Sequence, residues 1–329
     1  MKVLVVGCGS IGERHIRNMR NLQNLEIVAC DARQDRLTKV RKEYKIEETY
    51  SDLKQALNKN ITAALICTPS SSHIPIALAA VNNGIHVFIE KPLSHNLEGI
   101  DELITKANKK NAIIMVGFNL RFHPCLQRIK RMLDEGKIGK IICAKVQVGQ
   151  YLPDWHPWED YRTTYSAQKA LGGGVILDAI HEYDYVRWFL GDPTEVFCFA
   201  DKLSDLEIDT EDIAETLMRF EKRAIAEVLT DYIQRVYSRS CQLIGDEGTI
   251  LWSFKENCVK LYTAKDKQWQ MFPETNFDFN ETYAQEIKHF IECVKENKQP
   301  NISVLDGKKV LEIALAAKRS AETRQVVYL

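Results

Sequence analysis

Asp178, His181 and Asp184 recur at every third residue shortly after the run Gly172-Gly173-Gly174, and Lys91 follows Phe88-Ile89-Glu90 immediately before Pro92. These residue types suit proton transfer and the stabilisation of developing charge. An imidazole with an ordinary pKa of ~6.5 can take a hydroxyl proton near neutral pH. An ammonium beside the reacting oxygen polarises a carbonyl or stabilises a developing alkoxide. His181 is therefore the candidate base and Lys91 the candidate electrophile. Asp178 is suited to orienting or binding a hydroxyl, and Asp184, one turn beyond His181, to orienting the imidazole. The competing roles are a buried structural histidine and a surface lysine paired with Glu90.

A second constellation points to a dinucleotide. Gly7-Cys8-Gly9-Ser10-Ile11-Gly12 follows an apolar strand-like run, opens a segment of helical periodicity and ends 19 residues before Asp31. Gly7, Gly9 and Gly12 permit the turn and close approach of a pyrophosphate, while the helix start at Ser10 and Ile11 presents backbone N–H groups to it. Asp31 accepts from ribose hydroxyls, which makes NAD the expected cofactor. Arg33 leaves NADP open, because an arginine at that place can hold a 2′-phosphate.

These residues need elements to position them. Short β-branched runs at 3–6, 25–30, 63–67, 85–89 and 113–116 alternate with helical periodicity at 11–22, 33–43, 73–82 and 96–110. Alternation of this kind predicts a parallel sheet with helices on both faces, a Rossmann domain over residues 1–120. Lys91 then stands at the carboxyl end of a strand, where such sheets bind ligands, and Pro92 turns the chain out. Residues 121–329 read as an α+β domain. One helix spans 174–190, strands follow at 194–201, 211–220, 224–233, 239–245, 248–254 and 258–263, and helices at 281–296 and 303–322 close the chain. Hairpin order predicts a large, mostly antiparallel open sheet, and the C-terminal helix has the option of packing back on the first domain.

Composition narrows the class. The 329 residues carry 44 Lys and Arg against 45 Asp and Glu, a net charge of -1, which provides no electrostatic footprint for nucleic acid or an anionic membrane. Nine scattered cysteines, with no CxxC and no Cys/His cluster, predict a reducing cytoplasmic compartment and no bound metal. The N-terminal apolar run is too short for a signal peptide or a span. His15, His86, His95 and His289 read as ordinary structural or surface positions.

Further segments carry a resemblance. Cys67-Thr68-Pro69-Ser70-Ser71-Ser72-His73, Glu90-Lys91-Pro92, Gly117-Phe118-Asn119-Leu120-Arg121-Phe122-His123-Pro124, the triple glycine with its Asp/His helix and the closing Ala317-Lys318-Arg319-Ser320 accompany the N-terminal glycine motif. Together they resemble the glucose-fructose oxidoreductase / inositol dehydrogenase / MocA (Gfo/Idh/MocA) family over nearly the whole chain. The resemblance implies an NAD(P)-dependent oxidoreductase acting on a sugar, sugar nucleotide or cyclitol, with Lys91 touching both substrate hydroxyl and nicotinamide. It places Thr68, Pro69, His73 and Glu90 along the cofactor, and Asn119 and Arg121 near nicotinamide and substrate. It further implies a homodimer or homotetramer formed through the exposed sheet face. A structural ion pair for Arg121 and a capping or packing role for His73 compete with these assignments.

The acid/base segment departs from the family pattern, which spaces Asp and His four residues apart instead of three. On a continuous helix three residues turn ~300° and four ~400°, so one group is rotated by ~100°. His181-Glu182-Tyr183-Asp184 keeps the family spacing, so the resemblance assigns the base to His181 ahead of Asp178. Before it, the segment 151–162 is dense in aromatic and polar groups. Trp155, His156 and Tyr161 offer flat faces and donors to a sugar ring, and Arg162 and Tyr165 offer donors to a phosphate or carboxylate. Family members with the shortened spacing and a similar loop resemble enzymes of surface-sugar biosynthesis. An oligomer-interface loop is the competing reading. At the level of function the rivals are a non-catalytic NAD(P)-binding regulator and a lyase or glycosidase that recycles bound NAD.

Overall fold

The computed structural model describes residues 1–221 and 223–329, and the chain divides into two compact units. In the first, β1 (Lys2–Val6), α1 (Ser10–Met19), β2 (Glu26–Cys30), α2 (Gln34–Tyr44), β3 (Thr49–Tyr50), α3 (Leu53–Leu57), β4 (Ala63–Ile66), α4 (His73–Asn82), β5 (His86–Glu90), α5 (Ile100–Lys110) and β6 (Ile114–Gly117) alternate. All neighbouring strands pair in parallel, in the order β3-β2-β1-β4-β5-β6. Burial on both faces explains why β4 reads Ala-Ala-Leu-Ile without alternation. The order reverses between β1 and β4, so their carboxyl ends flank the crevice where doubly wound sheets take ligands. The glycine loop leaves β1 there, and the segment 67–73 leaves β4. The helix expected from residue 96 starts only at Ile100, because Gly99 sits in the left-handed region at φ +75°. The two-residue edge strand β3 carried too short a signal to be anticipated.

The second unit contains α6 (Pro124–Asp134), β7 (Ile141–Gly149), short 3₁₀ turns between 152 and 171, α7 (Val175–Asp178), α8 (Ile180–Leu190), β8 (Pro193–Asp201), β9 (Ile213–Phe220), β10 (Ile225–Asp231), β11 (Ser238–Gly245), β12 (Gly248–Ser253), β13 (Cys258–Thr263) and β14 (Trp269–Pro273). After them come α9 (Asn280–Glu296), α10 (Val304–Thr323) and β15 (Val327–Tyr328). Nine strands form one sheet in the order β14-β13-β12-β11-β7-β10-β9-β8-β15, antiparallel except where β7 meets β10. Alternation separates its faces. Ala144, Val146, Ala226 and Val228 point inward and are buried, whereas Phe199, Leu217 and Ile225 remain exposed on the other side. The central strand β7 and the edge strand β14 were absent from the expected elements.

Two findings correct the sequence reading. The expected helix over 174–190 is interrupted at Ala179 (φ −88°, ψ 28°), where the Ala179 N–H closes α7 on the Val175 carbonyl before α8 begins. Asp178 and His181 therefore lie on different helices, and rotation about one continuous axis does not relate them. The chain also returns to its first unit, since Phe279–Lys308 belong with Met1–Asn119 and Lys309–Leu329 with the second. The return is made by α9 and the first residues of α10, not by the whole C-terminal helix that the sequence reading allowed to pack back. Burial of Ile287, Phe290 and Ile291, worth about 1.5–3 kcal/mol each, fixes α9 on the first unit. The Phe290 ring lies 5.8 Å from that of Phe88 on β5.

Candidate cofactor and substrate sites

In the first unit the glycine loop is a close-fitted backbone cradle. Gly7 has φ +91°, and a Cβ there would lie 2.7 Å from the Cys67 carbonyl oxygen; one on Gly12 would lie 1.9 Å from the Gly7 oxygen. No side chain caps α1 at Gly9, so the first-turn N–H groups at Ser10, Ile11 and Gly12 are presented to a ligand at the carboxyl edge of the sheet. Asp31, 8% exposed, accepts from the N–H groups of Cys8 (2.7 Å) and Arg33 (2.8 Å) and so ties β2 to the loop. Burial beside this carboxylate pushes the Cys8 thiol up to about 12. The uncapped helix start, the space left by the missing Cβ atoms and the carboxylate at the end of β2 fit a dinucleotide.

Arg33 turns to Asp35 (2.6 Å) on the surface. Arg36, which the sequence reading missed, reaches to 3.5 Å from Asp31 and would lie 3.3 Å from a Cβ on Gly9. Its position five residues after Asp31, in the first turns of α2, was the available signal.

The neighbouring loops are cross-tied. Thr68 Oγ1 accepts from Ser72 (2.7 Å), and the segment from Pro69 continues as a short 3₁₀ turn. Buried His73 sets its ring nitrogens 2.8 Å from the Thr68 carbonyl and 2.9 Å from that of Pro92. Burial lowers its pKa despite these two acceptors, and the ring stands between the loops after β4 and β5. Lys91 follows β5, and its N–H donates to Glu90 Oε2 (3.1 Å). Glu90, counted with the cofactor segment on resemblance, has its other oxygen 2.6 Å from His15 Nε2. Asn119 donates to Thr282 (2.7 Å) on α9.

In the second unit, Arg121 and Asp184 form a two-pronged pair at 2.6 and 2.9 Å, with side chains 8% and 0% exposed. Glu182 and Arg239 form another buried pair at 2.8 Å. His181 is buried on the first turn of α8, immediately before these two anchored positions, Glu182 and Asp184. Removing Arg121 strands a buried carboxylate, so Arg121→Ala is expected to lose about 3–5 kcal/mol in denaturant unfolding. A loss under about 1 kcal/mol would mean the pair behaves as a solvated one.

Asp178 accepts from the hydroxyls of Tyr165, Ser166 (2.6 Å) and Tyr232 (3.0 Å). Burial and this carboxylate hold the Tyr232 phenol well above its ordinary range. Trp155 packs edge-on to Tyr232 at 5.4 Å and donates to the Gln150 carbonyl, so Trp155, Tyr165 and Asp178 share one cluster. The triple glycine allows the approach, since a Cβ on Gly173 would lie 2.2 Å from the Tyr165 carbonyl oxygen. The remaining loop residues have other partners. Tyr161 accepts from the Glu207 N–H, exposed Arg162 pairs with Asp160 (2.8 Å) and Glu207 (3.0 Å), and His156 faces Trp158. Ser166 and Tyr232 escaped sequence reasoning because nothing local marks them as partners of Asp178.

Comparison with known proteins accords with this geometry. Residues 1–118 match the oxidoreductase family with NAD-binding Rossmann fold, and residues 126–251 match the GFO/IDH/MocA C-terminal domain. A protein named myo-inositol 2-dehydrogenase from Thermotoga maritima is 30% identical, covering 100% of this chain and 98% of its own length. One named scyllo-inositol 2-dehydrogenase (NAD(+)) from Bacillus subtilis is 29% identical, covering 100% and 96%. The crystal structure of myo-inositol 2-dehydrogenase from Lactobacillus plantarum superposes with a TM-score of 0.86 at 25% identity, covering 100% of this chain and 99% of that one. No helix among the described residues is long and apolar enough to cross a membrane. With both domains matched, and a relative alike over its whole length, the chain belongs to the Gfo/Idh/MocA family of oxidoreductases and its first domain is NAD-binding.

Proposed function

We propose that the chain is an NAD-dependent dehydrogenase that moves a hydride between nicotinamide and a carbinol or carbonyl carbon of a cyclitol or sugar ring. The observation that carries this reading is Lys91 at the carboxyl end of β5, on the same edge of the sheet as the glycine loop. Gly7, Gly9 and Gly12 with the Ser10–Ile11 helix start would hold the pyrophosphate, and Asp31 the ribose. Thr68, Pro69, His73 and Asn119 would line the rest of the cofactor. Bound there, NAD supplies the hydride acceptor.

The chain supplies charge and proton handling. Lys91 stabilises the developing alkoxide, and His181 takes the hydroxyl proton. Asp178, already accepting three protein hydroxyls, orients the cluster that presents Tyr165 and Trp155 to the ring. Arg121 steadies α8 through Asp184. His156, Tyr161 and Arg162 suit a substituent beyond the ring, and on this account a glycan-precursor sugar remains within the substrate class. The exposed Phe199, Leu217 and Ile225 support assembly of identical copies into a dimer or tetramer through the outer sheet face. Nine free thiols, most of them buried, support a reducing cytoplasmic setting.

The test follows NADH formation with inositol isomers, free sugars and nucleotide-linked sugars, comparing NAD with NADP. Turnover with at least one ring polyol is expected, with kcat/KM favouring NAD by ~10-fold or more through Asp31. A ratio below one would overturn the NAD preference. Cofactor binding without turnover across the panel would make the chain a regulator, and turnover without net NADH a lyase-type enzyme.

A further inference from the structure

Beside Glu90, the residue before Lys91, lies a buried acid group that the mechanism above does not use. Glu286 on α9 is fully buried, and neither of its carboxyl oxygens has a hydrogen-bond partner among the described residues. One oxygen lies within 4.8 Å of ligand-type atoms of both His15 on α1 and Glu90 on β5. His15 is also fully buried, with Nε2 2.6 Å from Glu90 Oε1, and its Nδ1 has no partner. Phe88 and Tyr283 close on the His15 ring edge-on at 5.4 and 6.2 Å, so apolar faces seal the cluster. Gly117 completes the seal, because a Cβ there would meet Phe88 at 2.9 Å and Glu90 Oε2 at 3.3 Å.

Two carboxylates this close and this buried disfavour double ionisation, which favours a proton on one of them. Glu90 is the one whose oxygens are met by other groups. It faces the His15 ring and accepts from the Lys91 N–H, whereas Glu286 meets no donor. We propose that Glu286 is a positioning residue held in its neutral acid form, which lets Glu90 alone carry the negative charge and fix, with His15, the peptide of Lys91. Burial and the adjacent Glu90 both push the Glu286 carboxyl well above its usual range. The thiol of Cys67, which also senses both acids, is likewise pushed up by burial and stays neutral. In this arrangement the buried cluster sets where the ammonium points.

The proposal rests on the role given to Lys91, and its test is split so that the two can fail separately. Infrared spectra of the NAD-loaded enzyme should contain the C=O stretch of a protonated carboxylic acid that disappears in Glu286→Gln. That measurement does not depend on Lys91. In kinetics, Glu286→Ala should lower kcat by ~10-fold or more while Kd for NAD holds, and Glu286→Gln, neutral and of the same shape, should regain most of the loss. If the alanine variant fails to fold, His15→Asn provides the kinetic arm, with the same expected fall in kcat. Absence of the acid band, or a glutamine variant as impaired as the alanine one, would overturn the neutral-acid assignment. An unchanged kcat in Glu286→Ala, with the band present, would overturn the positioning role.

Discussion

Replacing His181 with asparagine is expected to lower kcat/KM for ring-polyol oxidation by ~10² to 10⁴, the range of a lost general base. That corresponds to about 2.7–5.5 kcal/mol of transition-state stabilisation. Asparagine keeps a hydrogen-bonding side chain of similar size but cannot carry the proton. His181 is buried on the first turn of α8, and the next residues on that helix are anchored by Glu182 with Arg239 and by Asp184 with Arg121. The substitution therefore removes a proton acceptor from a helix whose placement is otherwise secured, and Kd for NAD should hold. The pH dependence provides a second readout. An imidazole must be neutral to accept a proton, so oxidation by the wild type falls as pH drops through the pKa of the ring. The asparagine variant should lose that limb. A loss of activity under ~threefold would assign the residue to structure and leave the proton to another group.

How far such roles can be read before a structure exists depends on how local their geometry is. The glycine loop was legible because its constraints are contiguous: Gly7 needs a positive φ, Gly12 must approach the Gly7 oxygen, and Asp31 ends the next strand. Lys91-Pro92 was legible for the same reason, as the end of one strand. The nine-stranded sheet was legible as a class, yet its middle strand β7 was passed over. Ala144, Val146 and Val148 alternate with Lys145 and Gln147, a period-two signal that was present but stood alone between a helix and a loop of 3₁₀ turns. The break at Ala179 had no comparable mark, since alanine favours helix and only the packed chain interrupts it. Partnerships across many residues were hidden as well. Tyr232 with Asp178, Arg239 with Glu182, and Glu286 beside His15 and Glu90 each join segments whose spacing in the chain carries no period. Buried charge is thus the part of this molecule that required coordinates, because a carboxylate must be met by whichever segment folds against it.

Lys91→Met should cost ~10² to 10³ in kcat, about 2.7–4 kcal/mol, the range for a lost donor to a developing oxyanion. Methionine preserves most of the aliphatic stem and removes the ammonium, so the change isolates charge from packing. An alkoxide exists only as the hydroxyl proton leaves, so the loss should fall on kcat and kcat/KM alike, with substrate KM little changed. The chain around the residue argues that the ammonium is aimed. Glu90, buried and facing His15, accepts the Lys91 N–H, and His73 holds the Pro92 carbonyl. Residues on both sides of Lys91 are therefore pinned to buried groups, which fixes the root of a long side chain that would otherwise sample many rotamers. Lys91→Arg should not rescue, because a planar guanidinium on that root displaces its charge and spreads it over a wider fork. A methionine variant within ~threefold of wild-type kcat would return Lys91 to the role of a surface charge, and the oxyanion would then need another donor.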